Sequence, residues 1–389
     1  MWMRTLLGLL SASLLASSAS ATILENGQLR LNPYPGQARP LNCGIDKAAW
    51  RTYEPDAEEI SYKGRWDEKH ISWWSAPGVK FAFTGQKLAL SFGNHTVDGV
   101  LVAYRLGGQD WQFANVTANQ SYQFVGPWTT GVNLTESTAK KTFELRPSPK
   151  MVEIIGDSLS AGQYATYEGI SSWSYLFAAG LGNVEYHLTA YPGICLHDQN
   201  CWGNPRGQTY QWYHTSDTSS RATEIYGDNP PKWDFTSQQP ADLVVINIGN
   251  NDYNVADKVS STDFYNDYVK LVGDIHRIWP EAQIVLMSLW GGFGAIGDTY
   301  IQGPIFVNEI KNVYKFYQRK GAKFVHYFDT TGILQHNDIA PQWHPTDVGH
   351  IKVAAHLIQW VKLTLGWEME ATGPMVHSGT LYWNDQQNY

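Results

Sequence analysis

The chain has 389 residues and a mass of 43.8 kDa, with 43% hydrophobic residues, 16% charged residues and a formal net charge of −8. This length and composition exclude a small disulfide-held scaffold and a disordered chain, and they suit two domains. With 36 acidic against 28 basic residues, the charge balance argues against nucleic acid as a partner. The 17 tryptophans suit a ligand with apolar faces and polar edges, of which sugar is the commonest.

Residues 1–21 have the pattern of a secretory signal peptide. A short basic start containing Arg4 precedes an apolar run at residues 6–16, and Ala19-Ser20-Ala21 places small residues at a cleavage point. The apolar run is shorter than the roughly 20 residues that cross a bilayer. The sequence therefore predicts a secreted, extracellular protein without membrane association.

Four Asn-x-Ser/Thr sequons follow within a short stretch, at Asn94, Asn115, Asn119 and Asn133. Behind a signal peptide, such a cluster favours a secreted glycoprotein.

The chain has three cysteines, and their pairing has two interpretations. Cys195 and Cys201 are close enough in sequence to form a tight disulfide loop in an oxidising compartment, which leaves Cys43 unpaired. Alternatively, Cys43 pairs with one of the other two, because connectivity cannot be read from sequence.

Residues 22–147 show short alternating strands separated by Gly, Pro and Asn. Such alternation with this punctuation predicts an N-terminal antiparallel β-sandwich, jelly-roll-like in form. The strands are predicted at residues 79–83, 88–92, 100–104, 122–124 and 141–145.

Residues 150–366 change to continuous apolar runs that alternate with segments of helical length. This texture predicts a three-layer α/β domain with a buried parallel sheet. The polar residues 367–389 are predicted to form a C-terminal tail. The predicted strands are 152–155, 184–188, 243–248, 284–289 and 324–328, and the predicted helices are 173–180, 263–278, 304–318 and 348–365.

Chemically capable residues follow several of these strands. Gly156-Asp157-Ser158-Leu159 comes directly after the first strand, Tyr191-Pro192-Gly193 after the second and Gly249-Asn250-Asn251-Asp252 after the third. Trp343-His344-Pro345 precedes the last helix. Because parallel strands end at one edge of a sheet, these groups are expected to meet there.

Gly-Asp-Ser-Leu, a later glycine, Gly-x-Asn-Asp and a late His-Pro, in this order, resemble the SGNH, or GDSL-type, hydrolases. With a preceding β-sandwich, the chain is similar to carbohydrate esterase family 2, whose members remove O-acetyl groups from plant cell-wall polysaccharides. The resemblance implies that Ser158 is the nucleophile and His344 the base. It also implies an oxyanion hole made by the backbone N–H groups of Ser158 and Gly193 and the side-chain amide of Asn251.

The chemistry of ester cleavage requires the same residue types. A serine oxygen that attacks an ester needs a base for its proton and fixed donors where the oxyanion forms. Histidine and asparagine meet these needs. Asp157 and Asp252 are predicted to be structural, accepting backbone N–H bonds in the loops.

The group that orients His344 is left open by the sequence. Family members usually have Asp-x-x-His, but Pro341 stands three positions before His344. Either the site is a Ser-His dyad, as in some members of carbohydrate esterase family 2, or Asp338 reaches His344 from a bent loop. A rival assignment pairs Asp347 with His350, which do fit Asp-x-x-His.

A Gly-x-Gly-x-x-Gly pattern at residues 292–297 is not expected to bind a dinucleotide, because no helix opens inside it. We predict instead a flexible loop beside the substrate cleft. No motif for a zinc site or an α/β-hydrolase elbow occurs, so neither a metal nor a cofactor is predicted. Trp290, Trp343 and Trp202 are predicted to bind substrate by stacking on sugar rings.

Together these observations predict a monomeric, secreted serine esterase that removes O-acetyl groups from polysaccharides such as xylan and glucomannan. The acetyl preference and the acetylated polysaccharide or oligosaccharide partner come from the resemblance. Two alternatives stay open. The same site could serve a short-chain lipid esterase or an O-acetyltransferase, or the chain could bind sugar without catalysis.

Overall fold

The structure is a computed structural model, and it describes residues 24–25, 28–29, 38–41, 50–107, 111–129, 142–143, 148–182, 184–303, 305–339 and 343–369. The predicted signal peptide, Cys43, Asn133 and nearly all of the predicted tail lie outside these residues. Contacts divide the chain into units Met1–Pro33 and Tyr34–Tyr389. In the first unit, β1 (Leu24–Glu25) and β2 (Gln28–Leu29) pair antiparallel.

The second unit contains the other elements. Its strands are β3 (Arg39–Pro40), β4 (Ser61–Trp66), β5 (Ser72–Lys80), β6 (Ala82–Phe83), β7 (Leu88–Ser91), β8 (Val100–Tyr104), β9 (Gln112–Val116), β10 (Ser121–Val125), β11 (Thr142–Phe143), β12 (Lys150–Gly156), β13 (Val184–Ala190), β14 (Leu243–Asn247), β15 (Gln283–Met287), β16 (Phe293–Ile296), β17 (Thr299–Gln302) and β18 (Val325–Phe328). Its α-helices are α1 (Ser158–Ala161), α2 (Trp173–Leu181), α3 (Gln208–Gln211), α4 (Ser220–Tyr226), α5 (Ser261–Ile278), α6 (Val307–Arg319) and α7 (Asp347–Leu365). The segments Glu168–Ser171 and His336–Asp338 are short 3₁₀ helices.

A parallel sheet in the order β13-β12-β14-β15-β18 forms the centre of the second unit. The inner strands β14 and β15 are largely apolar because helices cover both faces of the sheet, whereas β13 carries Glu185, His187 and Thr189. In β14, for example, Val244 and Ile246 pack on one face, and Leu243 and Val245 pack on the other. Strand β12, the first of these five strands in the sequence, lies inside the sheet between β13 and β14. The strand order reverses at β12, and in such sheets a crevice for ligands lies beside the carboxyl end of this strand.

Helices α5 and α6 pack on one face of this sheet, and α2 and α7 pack on the other. Serine or threonine caps several of these helices, since the hydroxyl accepts an otherwise unpaired N–H of the first turn. Ser172, Ser260 and Thr346 do so for α2, α5 and α7. The predicted α/β fold with a parallel sheet is confirmed, and the five strands and four helices of the prediction lie within a few residues of those observed.

A separate N-terminal β-sandwich is not confirmed. Strands β4 and β5 instead extend the central sheet, because β5 pairs antiparallel with β13, and β4 pairs with β5 at the edge. The remaining strands form small antiparallel groups, β3-β10-β7, β8-β9 and β6-β11. Alternation in the sequence identified strands correctly but could not show which sheet each one joins. The domain boundaries stay a prediction.

The glycine-rich segment that begins at Gly292 also contains strands that the sequence did not predict. It forms an antiparallel hairpin, with β16 pairing with β17 from Phe293↔Gln302 to Ile296↔Thr299. The prediction of a loop is therefore wrong for Phe293–Ile296, which form a strand.

Among the described residues, no helix combines the length and apolar character that crossing a bilayer requires. The sequon residues Asn94, Asn115 and Asn119 are all exposed. Their glycosylation stays a prediction.

Candidate active site

Ser158 lies where the central strand β12 turns into α1. Asp157 caps this short helix, with its carboxylate accepting the N–H of Leu159 at 3.0 Å. The cap fixes the turn, so the Ser158 hydroxyl is held at the carboxyl edge of the sheet. Only 6% of Ser158 is exposed, which limits access of water to its hydroxyl.

His344 reaches this serine from the loop before α7. Its Nε2 lies 2.8 Å from the Ser158 Oγ, which is hydrogen-bonding distance. The loop is fixed by the N–H of Thr346, which donates to the Asp338 carbonyl at 2.8 Å, and by the Thr346 hydroxyl, which caps α7. The structure thus brings together the predicted nucleophile and base, which are 186 residues apart in sequence.

The rival pair, Asp347 and His350, has the wrong geometry. Asp347 accepts the N–H of Thr166 at 2.8 Å, and the Nδ1 of the buried His350 accepts the N–H of Trp173 at 3.0 Å. Burial lowers the pKa of His350 to about 4, so the imidazole is neutral near pH 7. These residues therefore brace α7 against its neighbours, and the rival assignment is wrong.

Asp338 is bonded elsewhere. Its Oδ2 lies 2.7 Å from the Lys352 Nζ and accepts the N–H of Gln335 at 2.9 Å. The Lys352 contact fixes the 3₁₀ helix His336–Asp338 against α7, and the Gln335 contact caps that 3₁₀ helix. Pro341 lies outside the described residues.

The predicted oxyanion donors follow the two strands beside β12. The Asn251 Nδ2 donates one hydrogen bond to the carbonyl of Ile194 at 2.8 Å, which fixes the amide and leaves its second hydrogen for a ligand. Gly193 has a φ of +78°, and a Cβ there would lie 2.8 Å from the Cβ of Trp202. Only glycine fits this backbone conformation and this space.

Asp252 holds the two donor loops together. Its carboxylate accepts the N–H groups of Leu196 at 2.8 Å and His197 at 2.9 Å. Burial raises the pKa of Asp252 to about 7 and the pKa of Asp157 to about 6. The hydrogen bonds that each carboxylate accepts from backbone N–H groups favour its charged form and oppose this shift. The prediction that both aspartates brace loops is confirmed.

A disulfide closes the loop after Gly193. Cys195 and Cys201 are bonded, with their Cα atoms 5.9 Å apart. Within the described residues, the one cluster of side chains spaced to hold a metal contains these two cysteines and Asp257. Since the disulfide takes both thiols, we assign the cluster to loop structure.

Three exposed aromatic residues in this region have left-handed backbone conformations. Tyr164, Trp202 and Trp343 have φ values of +69°, +49° and +69°. Such conformations are unfavourable for bulky residues and tend to occur at functional sites. Tyr164 packs edge-on against the His344 ring, with centroids 4.9 Å apart.

Two of the predicted substrate-binding tryptophans are available to a ligand. Trp202 is 62% exposed above Gly193, and Trp343 is 64% exposed beside His344. The Trp343 ring lies on Gly292, where a Cβ would approach it to 2.0 Å. Trp290 is only 1% exposed and packs in the core, so its predicted stacking on sugar is not supported.

Sequence reasoning missed Tyr164. Its one signal was its position shortly after Ser158, and an aromatic residue at that distance is equally compatible with core packing. The left-handed conformation that places it against His344 is not encoded by any glycine or turn motif.

Comparison with known proteins assigns this arrangement to a family. The model of the GDSL-like lipase/acylhydrolase family matches residues 154–352, which include Ser158, Asn251 and His344. The chain belongs to this family. The predicted SGNH hydrolase is therefore confirmed, and this GDSL-family protein has no significant match among curated proteins.

Solved esterases share the fold of this GDSL-family protein. A family two carbohydrate esterase from Clostridium thermocellum, in complex with cellohexaose, is 20% identical with a TM-score of 0.60 over 79% of this chain and 99% of that chain. A carbohydrate esterase family 2 enzyme with a carbohydrate-binding domain from Corynascus thermopiles (Myceliophthora fergusii) is 22% identical, with a TM-score of 0.59 over 79% and 100%. An acetyl xylan esterase from Butyrivibrio proteoclasticus is 15% identical, with a TM-score of 0.59 over 85% and 100%.

Proposed function

We propose that this GDSL-family protein is a secreted carbohydrate esterase that removes O-acetyl groups from plant cell-wall polysaccharides such as xylan and glucomannan. The observation that carries the proposal is the 2.8 Å contact between the Ser158 Oγ and the His344 Nε2 at the carboxyl edge of the sheet. It supplies a nucleophile and a base in reach of each other.

The first step is acylation of Ser158. His344 takes the hydroxyl proton as the Ser158 oxygen attacks the acetyl carbonyl carbon, and the carbonyl electrons move to its oxygen. The N–H groups of Ser158 and Gly193 and the Asn251 amide stabilise that oxyanion. Collapse breaks the bond to the sugar oxygen, which leaves with the proton that His344 returns.

The second step is deacylation. His344 takes a proton from water while the water oxygen attacks the acetyl-serine carbonyl. Collapse of the second tetrahedral intermediate releases acetic acid, which ionises to acetate at neutral pH, and restores the Ser158 hydroxyl through the proton held on His344. No group beyond the Ser-His pair and the three donors is required, and Asp338 is assigned to the loop.

The carbohydrate substrate is supported by two kinds of observation. The exposed rings of Trp202, which lies against Gly193, and Trp343, which precedes His344, suit the apolar faces of sugars. The structural relatives include an acetyl xylan esterase and an esterase bound to cellohexaose. Secretion is supported by the signal-peptide pattern of residues 1–21.

The test measures acetate released from acetylated xylan and acetylated glucomannan by the parent protein and by Ser158→Ala. We expect the parent to release acetate and Ser158→Ala to lose at least about 10³-fold in rate, since it lacks the nucleophile. Ser160→Ala is the matched control, because Ser160 is buried on the same helix and its Oγ lies 3.4 Å from the Asn247 carbonyl. Equal acetate release by the parent and Ser158→Ala would overturn the proposal.

The acyl group is tested with p-nitrophenyl acetate and p-nitrophenyl octanoate. We expect faster cleavage of the acetate, whereas faster cleavage of the octanoate would indicate a lipid esterase. Addition of an unacetylated oligosaccharide during turnover separates hydrolysis from transfer, because a transferase would form the acetylated sugar in place of acetate.

A further inference from the structure

A cleft lies at the end of the sheet away from Ser158. Its volume is about 370 Å³, and it is lined by residues of β4, by the starts of β12 and β13, and by the loop around Trp233. Met151 of β12 lines it, and β12 then rises about 3.3 Å per residue to Gly156, so roughly 17 Å of strand separates the cleft from the nucleophile's turn. We call it the β4 cleft.

Aromatic rings form much of the β4 cleft. Tyr62 and Trp66 of β4 pack edge to face, with centroids 5.0 Å apart, and Trp233 contributes a third ring. All three are partly exposed. Rings that are held in place but not buried offer apolar faces at small cost in conformational entropy.

Polar groups surround these rings. The amides of Gln238 and Gln239, the hydroxyl of Ser237 and the imidazole rings of His70 and His187 all line the cleft. Such planar amides and hydroxyls can both donate and accept hydrogen bonds, as sugar hydroxyls do. A volume in the range of small-molecule sites, with aromatic faces and a few polar groups, fits one or two sugar rings.

The charged residues that line the β4 cleft do not suit an anionic ligand. Lys63 is paired with Glu185, and Asp67 accepts the N–H groups of Lys69 and Ile71. Lys63 is the one lysine or arginine among the lining residues, against two carboxylates, so the cleft has no cationic excess for phosphate or uronate.

Behind the cleft, the buried polar groups are incompletely paired. His187 lines the cleft with 8% of its surface exposed, and its Nδ1 has no hydrogen-bond partner, lying 3.6 Å from the Glu153 Oε2. Buried polar atoms without partners are rare in proteins, and this one faces Glu153 beneath the lining of the cleft.

We propose that the β4 cleft is a non-catalytic binding site for uncharged sugar rings of a polysaccharide chain. It would hold the polymer near the protein and raise its effective concentration at the active site. The proposal rests on the proposed function only for the source of the sugar, since the cleft binds the ring and not the ester.

The test is isothermal titration calorimetry with unacetylated xylohexaose, mannohexaose and cellohexaose on the full chain. We expect Trp233→Ala to raise the Kd of the best of these ligands about tenfold, as loss of a central aromatic contact does. Gln239→Ala is a second variant with less risk to folding, because Gln239 is partly exposed in the loop, and we expect it to raise the Kd several-fold. Trp360→Ala, a partly exposed tryptophan on α7, is the matched control and should leave the Kd unchanged.

Three results would overturn the proposal. The first is that the parent binds none of the hexasaccharides at millimolar concentration. The second is that the Kd is the same for the parent, for Trp233→Ala and for Gln239→Ala. The third is that Trp343→Ala alone loses binding. Hydrolysis of p-nitrophenyl acetate, measured on the parent, separates this failure from that of the proposed function. If the parent binds sugar through the β4 cleft but cleaves no ester, only the proposed function is overturned.

Discussion

One hydrogen bond fixes the side chain of Asn251, a proposed oxyanion donor. Its amide is fixed by donation to the Ile194 carbonyl, and Ile194 follows Gly193 in the neighbouring loop. The same contact therefore sets the spacing between two of the proposed oxyanion donors. Preorganised donors cost no rearrangement when the oxyanion forms, which makes them effective in catalysis.

We predict that Asn251→Ala lowers kcat on p-nitrophenyl acetate by about 10² to 10³ with little change in KM, because the lost bond forms in the transition state. Steady-state kinetics with the parent and the variant measure this. Asn229→Ala, on an exposed loop, is the control and should retain parental kcat. A rise in KM at constant kcat would assign Asn251 to substrate binding instead.

The residues of the site divide into those the sequence could identify and those it could not. Ser158, Gly193, Asn251 and His344 follow strands or precede a helix in short motifs, so their meeting at one edge follows from the topology of a parallel sheet. Tyr164 and the burial of Trp290 depend on local backbone conformation and packing. Neither leaves a periodic signal in the sequence.

At the scale of elements, the loops after β13 and β14 are held by the Cys195–Cys201 disulfide and by Asp252. The disulfide closes a loop of a few residues that carries the exposed Trp202. Cross-linking so short a loop stabilises the fold by about 2 kcal/mol through the entropy of the unfolded chain.

We predict that the double variant Cys195→Ser with Cys201→Ser lowers the Tm by about 2 to 3 °C, because a chain of this size has a large entropy of unfolding. It should also lower kcat, because the loop packs against Gly193, one of the proposed oxyanion donors. Calorimetry and p-nitrophenyl acetate kinetics measure both effects. Cys43→Ser is the control, and a Tm loss in Cys43→Ser equal to that of the double variant would contradict the assignment.

The contact between α7 and α2 predicts a pH dependence of stability. His350 has a pKa of about 4 in the folded chain, against 6.5 for an exposed histidine, chiefly because it is buried. As the pH falls from 6.5 to 4, the unfolded chain takes up a proton that the folded chain does not. The free energy of unfolding therefore falls over this window and is fully retained above it.

We predict that His350→Asn loses less free energy of unfolding than the parent between pH 7 and pH 4.5, by on the order of 2 kcal/mol. Asparagine does not titrate, and its Oδ1 can replace the Nδ1 as acceptor for the N–H of Trp173. Urea unfolding at several pH values measures the difference between the two proteins, in which the other titrating groups cancel. Parallel pH profiles for the two proteins would show that His350 is not the group responsible.

Elements of the α/β region were more predictable than those before residue 148. The inner parallel strands, such as β14 and β15, are buried on both faces and read as apolar runs bounded by turns. Strand β4 lies at the edge of the sheet and carries Lys63 and the aromatic residues that line the β4 cleft, and its neighbour β5 carries Pro77. The pairing of β5 with β13 depends on residues distant in sequence, which alternation does not reveal.

At the scale of the whole molecule, a buried ion pair joins the edge strand β4 to β12, the strand that leads into Ser158. Arg65 of β4 and Glu153 of β12 are 1% and 0% exposed, and the Arg65 Nη2 lies 3.5 Å from the Glu153 Oε1. The Arg65 Nη1 also donates to the carbonyls of Trp212 and His214. A charge left alone at such a position is strongly destabilising.

We predict that Arg65→Met lowers the free energy of unfolding by about 3 to 5 kcal/mol, because Glu153 then remains buried without its cation. Urea unfolding monitored by circular dichroism measures the loss. Arg277→Met is the control, since the Arg277 side chain is 66% exposed in its pair with Asp274, and an exposed pair contributes under about 1 kcal/mol.

Adding Glu153→Gln to Arg65→Met tests the cause. The Glu153 Oε1 accepts the Thr189 hydroxyl at 2.6 Å and the Trp212 indole N–H at 3.0 Å, and a glutamine oxygen can accept both. If the cost arises from the unpaired charge, the double variant should recover part of the stability lost by Arg65→Met. If the double variant is less stable than Arg65→Met alone, the link between β4 and β12 depends on packing and on the carbonyl contacts of Arg65, and not on the ion pair.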